Sequence, residues 1–166
     1  MITVFLDTGP LGMVSNPKSS AENDACRQWL EDLVVHGARV VVTEIADYEI
    51  RRELLRANKT DGVIRLDTVK AALDYLPITT DAMLLAARLW AQARNLGMQT
   101  AGDKALDGDV ILVAQALTSG VPASDLVIAT VNVGHIARFA PALNWRDIIL
   151  VVSQGKFCVL SPDKDA

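Results

Sequence analysis

Ile2-Thr3-Val4-Phe5-Leu6-Asp7-Thr8-Gly9-Pro10 decides the fold. The β-branched and aromatic run 2–6 predicts a buried strand, and Gly9-Pro10 ends it. Asp7 then stands at the carboxyl edge of an open sheet, where α/β proteins bind ligands. Working outward, three more polar positions, Glu49, Asp109 and Asn132, fall at or near predicted element ends. Acids drawn to one edge from distant parts of a chain are what a hard divalent cation needs.

The rest of the chain supports a layered α/β reading. With 166 residues it has about the length of one domain and can bury most of its surface. Residues 1–166 are read as a single unit, with a strand and tail from about 148. Half of the residues are hydrophobic and only 5% aromatic, so the core is built from Leu, Val, Ile and Ala. Net charge is −4; setting aside Asp7, Glu49 and Asp109 leaves 17 acids against 16 bases. That balance argues neither for nor against a nucleic-acid partner. Cys26 and Cys158 have no metal-type spacing and suit a reducing compartment. No leader-like segment precedes Asp7 and no apolar run approaches ~20 residues. A soluble, cytoplasmic protein without a membrane partner is expected.

Further elements follow from periodicity. Ala25, Trp29, Leu30 and Leu33 make a helical stripe over 21–36, closed by Gly37. Val40-Val41-Val42 reads as a strand, and a helix from about Ile45 to Ala57 carries Glu49. A helix is expected from Asp61 to about Leu76. Thr79-Thr80-Asp81 caps another through Leu96, and a third spans 109–118. Leu126 to Thr130 and Ile148 to Val152 complete the strands. Strands alternating with helices imply a mostly parallel sheet covered on both faces.

Each candidate has a plain structural reading beside the functional one. Asp7 can simply cap the next turn, and Glu49, with Arg52 and Glu53 beside it, can belong to a solvated helix face. An acid opening the 109–118 helix is favoured by the helix dipole alone. That helix is almost wholly apolar, however, and a carboxylate opening a buried helix needs a partner such as a cation. Asp103 and Asp107 share its approach loop. Either is a candidate for the metal shell, with helix capping the stronger role for Asp107. Asn132 can stabilise its own turn, and His135, with no Cys or His at ligand spacing, reads as structural or surface. Arg51, Arg52, Arg56, Lys59, Lys104 and Arg138 can contact phosphate or serve as ordinary surface charges. Thr8 and Thr130 are candidates for supporting positions.

Four stretches together resemble the signature blocks of PIN-domain nucleases, which include the toxins of VapC-type toxin–antitoxin pairs. They are 6–11 (Leu-Asp-Thr-Gly-Pro-Leu), 43–54 around Glu49, 106–116 around Asp109, and 128–135 (Ile-Ala-Thr-Val-Asn-Val-Gly-His). The likeness covers about residues 2–150 in the right order. It implies a three-layer α/β/α fold with about five central strands, in which Asp7, Glu49 and Asp109 bind Mg²⁺ or Mn²⁺ and hydrolyse RNA. An antitoxin partner and a homodimer follow from the same likeness. Asn132 falls where many members have a fourth acid.

That departure carries the second reading: a PIN-like domain that binds RNA or a partner without cleaving it. Asp7-Thr8-Gly9 is also the triplet of aspartic proteases, whose two carboxylates share a proton. One copy would require a dimer of small, mostly β subunits, against which the predicted helices argue. Aspartate-nucleophile phosphatases usually need a second Asp two residues on, where this chain has Gly9.

Overall fold

The computed structural model describes residues 1–97, 105–153 and 156–159, except for the side chains of 105–107, 152–153 and 156–159. The elements run β1 (Thr3–Leu6), α1 (Thr8–Ser15), α2 (Ala21–Val35), β2 (Arg39–Thr43), α3 (Glu44–Arg56), α4 (Thr60–Ala72), β3 (Asp74–Leu76), α5 (Thr80–Asn95) and α6 (Ala105–Leu117). They continue with β4 (Leu126–Thr130), α7 (Val133–Ile136), β5 (Ala142–Asn144), β6 (Leu150–Ser153) and β7 (Lys156–Val159). The central sheet has five strands in the order β3-β2-β1-β4-β5, and every pair in it is parallel.

Successive side chains of a strand point to opposite faces, so each apolar run feeds two cores. Val4, Leu6, Val40, Val42, Val127 and Ala129 pack on one face with Leu11 and Val14 of α1, Cys26 and Leu33 of α2, and Leu66 of α4. Phe5, Val41 and Ile128 turn the other way, onto Leu112, Val113 and Ala116 of α6 and Ile136 of α7. Small residues let α5 close on α6, where Ala82 and Ala86 meet Val110 and Ala114. The result is the expected three-layer α/β/α arrangement, and it sets aside the mostly β subunit of an aspartic protease.

Three local expectations need correcting, and one element was not foreseen. β1 ends before Gly9-Pro10 as expected, but a helix follows at once: α1 starts at Thr8, with Asp7 as its N-cap. Pro10 lies in the first helical turn, where backbone N–H groups have no intrahelical partner, so proline costs little. The helix expected over 61–76 stops at Ala72, because Leu73 is extended and residues 74–76 pair with β2. The 109–118 helix begins earlier, at Ala105, which places Asp109 in its second turn and Asp107 inside the helix rather than at its cap. The final strand belongs to neither edge of the central sheet. β6 instead pairs antiparallel with β7 as a separate hairpin, and Trp29 of α2 anchors the approach to it by donating Nε1–H to the Ile148 carbonyl at 3.0 Å.

Candidate functional site

β1 and β4 are neighbours, yet the chain leaves them toward opposite sides of the sheet. A crevice forms at the carboxyl ends of strands where the winding reverses in this way. Asp7 follows β1 at that point, and its backbone N–H donates to the Ala129 carbonyl of β4 at 3.0 Å.

Both carboxylate oxygens of Asp7 are held. Oδ1 accepts from the Thr8 N–H at 2.7 Å, the bond that starts α1. Oδ2 accepts from the hydroxyl of Thr130, the last residue of β4, at 2.6 Å. The Thr8 hydroxyl reaches across to α3 and donates to Glu49 Oε2 at 2.7 Å. Glu49 Oε1 lies over Gly108 of α6, where an added Cβ would fall 2.5 Å from it. Glycine is therefore what lets the acid of α3 pass close to the helix of Asp109.

The packing of α6 on α3 is set by Gln115, almost fully buried. Its Oε1 accepts from the Ile45 N–H at 3.2 Å, and its amide nitrogen donates to the Leu76 carbonyl at 2.8 Å. One side chain thus ties α6 to the start of α3 and to the end of β3. On its other side Asp109 meets α7: His135 Nδ1 lies 3.3 Å from Asp109 Oδ2 and 3.0 Å from the Asn132 amide nitrogen. The Asn132 backbone N–H returns to the Thr130 hydroxyl at 2.9 Å. A continuous chain of polar contacts therefore runs from Glu49 through Thr8, Asp7, Thr130, Asn132 and His135 to Asp109.

The electrostatics show how crowded this edge is. Burial pushes the Asp7 carboxyl above its ordinary range, and the charge of Glu49 adds to this, while the bonds from Thr130 and Thr8 oppose it. Burial and then the Asp7 charge push Asp109 up to about 6, against the pull of His135. The charge of Glu49 raises both Asp7 and Asp109, and that of Asp7 raises Asp109, so the three carboxylates form an all-oxygen, electron-rich set of the kind hard divalent cations neutralise. Among the described residues, no three His, Cys, Asp or Glu side chains converge tightly enough to form a finished cation site. Thr8, Thr130 and His135 hold the individual carboxylates instead. The donor chemistry of these side chains fits a hard cation.

The other candidates fall out unevenly. Arg51 donates to Asp47 Oδ1 at 2.8 Å and to Asp67 Oδ1 at 2.7 Å, so it clamps α3 to α4 and turns away from the role of phosphate contact. Arg52 lies over the Tyr48 ring at 5.4 Å, with a guanidinium nitrogen 3.9 Å from Glu49 Oε1, at the mouth of the site. Arg56 pairs with Glu53 at 2.7 Å, and Arg138 is exposed just beyond α7. Asp103 and Lys104 lie outside the described residues, as does the side chain of Asp107. His135, read from the sequence as structural or surface, is the residue missed. Its only signal was the spacing Asn132-x-x-His135, which puts the two on one face of a helical turn.

Residues 4–134 match the PIN domain family, and the chain belongs to that family. No curated protein matches the sequence. The fold is similar to that in the structure of VapBC2 from Rickettsia felis bound to a DNA fragment from its promoter, with TM-score 0.67 and 16% identity over 87% of this chain and 99% of that one. VapBC-1 from nontypeable Haemophilus influenzae is similar at TM-score 0.63 and 15% identity, again over 87% of this chain and 99% of that one. VapC20 from Mycobacterium tuberculosis, described as a toxin cleaving the sarcin–ricin loop, is similar at TM-score 0.53 and 13% identity over 81% and 94%.

Proposed function

We propose that this protein is a metal-dependent endoribonuclease, the toxin of a VapC-type toxin–antitoxin pair, with Asp7, Glu49 and Asp109 as ligands of Mg²⁺ or Mn²⁺. The observation that carries the reading is the chain of polar contacts that links Glu49, Asp7 and Asp109 along the switch point of a PIN-domain sheet. Membership of the family supports hydrolysis of a phosphodiester bond. The likeness to VapBC complexes supports a protein antitoxin as partner, and the likeness to VapC20 supports RNA as substrate. A cytoplasmic location agrees with the reading, and no helix among the described residues is long and apolar enough to cross a membrane. Residues 1–166 act as one unit in this reading, and a homodimer is its expected assembly.

The chain's own residues divide the work. Thr130 and Thr8 fix the Asp7 carboxylate, and each of its oxygens keeps a lone pair for a cation. Thr8 holds Glu49 by one oxygen and leaves the other directed over Gly108. Arg52, at the mouth, meets the phosphate backbone of the incoming strand, a contact that orients without reading sequence. A cation bound to these acids lowers the pKa of a water and stabilises charge on the phosphate. No Ser, Cys or His nucleophile is required.

Incubation of the protein with single-stranded RNA, with Mg²⁺ or Mn²⁺ and then with a chelator, tests the reading. Cleavage that needs the cation and is largely lost in Asp7→Asn supports it. RNA bound but uncut by the parent at saturating metal would instead favour the binding-only reading that Asn132 suggests. Undiminished cleavage by Asp7→Asn would remove Asp7 from the ligand set.

A further inference from the structure

We infer that His135 supplies its Nδ1 as a ligand to the cation held by Asp109, turning an all-oxygen site into a mixed nitrogen–oxygen one. The inference rests on the metal-dependent reading above and sharpens it to a class of cation.

The geometry of α7 makes the case. Its single turn is pinned by Ile136, which is fully buried, so the neighbouring His135 has little freedom to swing away from the sheet edge. The imidazole turns Nδ1 toward Asp109, with both side chains only 22% exposed. Nδ1 lies 3.3 Å from Asp109 Oδ2 and 3.0 Å from the Asn132 amide. Neighbouring ligands around a divalent cation, with bonds of about 2.0–2.2 Å at right angles, lie about 2.8–3.1 Å apart. A shift of a few tenths of an ångström therefore converts these contacts into one edge of a coordination shell.

With the Asn132 amide nitrogen facing Nδ1, hydrogen bonding leaves this cluster unsettled. A ring nitrogen has either a proton or a lone pair. Bearing the proton, Nδ1 donates to Asp109 and faces the Asn132 N–H as a second donor. Bare, it accepts from Asn132 and faces the carboxylate lone pairs. A cation resolves the conflict, because the bare Nδ1 and the carboxylate can then share one positive centre. The Asn132 amide, turned over, offers its oxygen to the same centre or to a water on it. Imidazole suits the later transition ions best, and of the two oxygen-preferring ions Mn²⁺, itself a first-row transition ion, accepts a nitrogen ligand more readily than Mg²⁺. His135 would therefore set which cation the site prefers.

The test is pulsed EPR on the full chain loaded with Mn²⁺ alone, together with calorimetric titration by Mn²⁺ and by Mg²⁺. In the parent we expect nitrogen coupling to the manganese, and the coupling should change isotope when histidine is supplied as ¹⁵N. His135→Gln should abolish it and weaken Mn²⁺ about tenfold, the scale on which groups supporting a metal act. Mg²⁺ should weaken by less than about threefold in the same variant. His36→Gln, at the end of α2, should leave the coupling intact. Bound Mn²⁺ with no nitrogen coupling in the parent, or equal losses for both ions in His135→Gln, would overturn the inference and leave the nuclease reading standing. A parent that binds neither ion would overturn both. The parent spectrum alone decides whether nitrogen is a ligand, so the result does not depend on how well any variant folds.

Discussion

Thr130 Oγ1 donates to Asp7 Oδ2 across 2.6 Å, joining the ends of two adjacent parallel strands over 123 positions of sequence. The same hydroxyl accepts from the Asn132 N–H at 2.9 Å, so one buried atom serves both the carboxylate and the turn that leads into α7. Thr130→Val keeps the shape and removes both bonds. We expect a loss of about 1–3 kcal/mol, the usual penalty when buried polar groups lose a partner, with most of it recovered in Thr130→Ser. Denaturant unfolding measures this, and a Val variant as stable as the parent would show that the hydroxyl contributes nothing to the fold.

The crowded carboxylates predict a pH dependence with a definite sign. Asp109 titrates at about 6 in the folded chain against 3.8 as its ordinary value, and Asp7 is shifted in the same direction. The folded state therefore binds more protons than the unfolded state between those values, so stability falls as pH rises from about 4 to about 6 and then levels off. Asp109→Asn removes one like charge, so its thermal midpoint should fall less over that interval and lie higher than the parent's at pH 7. Midpoints collected from pH 4 to 8 without divalent metal check this, and parallel curves for the two proteins would contradict it.

Gly108 separates stability from function. Replacing a helical glycine with alanine ordinarily stabilises a helix by up to about 1 kcal/mol. Here the new methyl would fall 2.5 Å from Glu49 Oε1, and the flexible glutamate, not the backbone, would move. Gly108→Ala should unfold no earlier than the parent yet cut RNA on the order of ten- to a hundredfold more slowly, as misplacement of a reacting constellation does. Equal cleavage rates would show that the position of Glu49 over α6 is immaterial.

Asn132 predicts the effect of adding charge. It is exposed and neutral, and its side chain contacts His135. Asn132→Asp should tighten a second cation and raise cleavage at limiting metal, because an added carboxylate attracts a further hard ion. Calorimetry on both forms decides it; identical stoichiometry and affinity would put position 132 outside the metal shell.

What the sequence disclosed depended on how locally each feature is encoded. β1, β2 and β4 are buried on both faces and read directly as apolar runs. The three-residue strands β3 and β5 lie at the sheet edges, and only Ala142 among their six residues is buried, so they left almost no pattern. α1 was hidden because Gly9-Pro10 signals a turn in isolation, whereas Asp7 as N-cap makes the same pair compatible with a first helical turn. Asp7 and Asp109 stood out because unpaired carboxylates beside apolar runs are costly, whereas Glu49 was marked by the likeness of residues 43–54 to a PIN-domain signature block. His135 did not, since its meaning comes from Asp109, 26 residues earlier and on another helix.

The parallel pairing of β4 beside β1 also sets a time order. Asp7 is synthesised 123 residues before Thr130, and His135 emerges later still. Strand pairings this distant in sequence form late, once the intervening chain is available. A nascent chain that has not yet released β4 holds Asp7 without the neighbours that complete the edge. If the finished protein cuts RNA, the ribosome building it works beside a blade still unassembled.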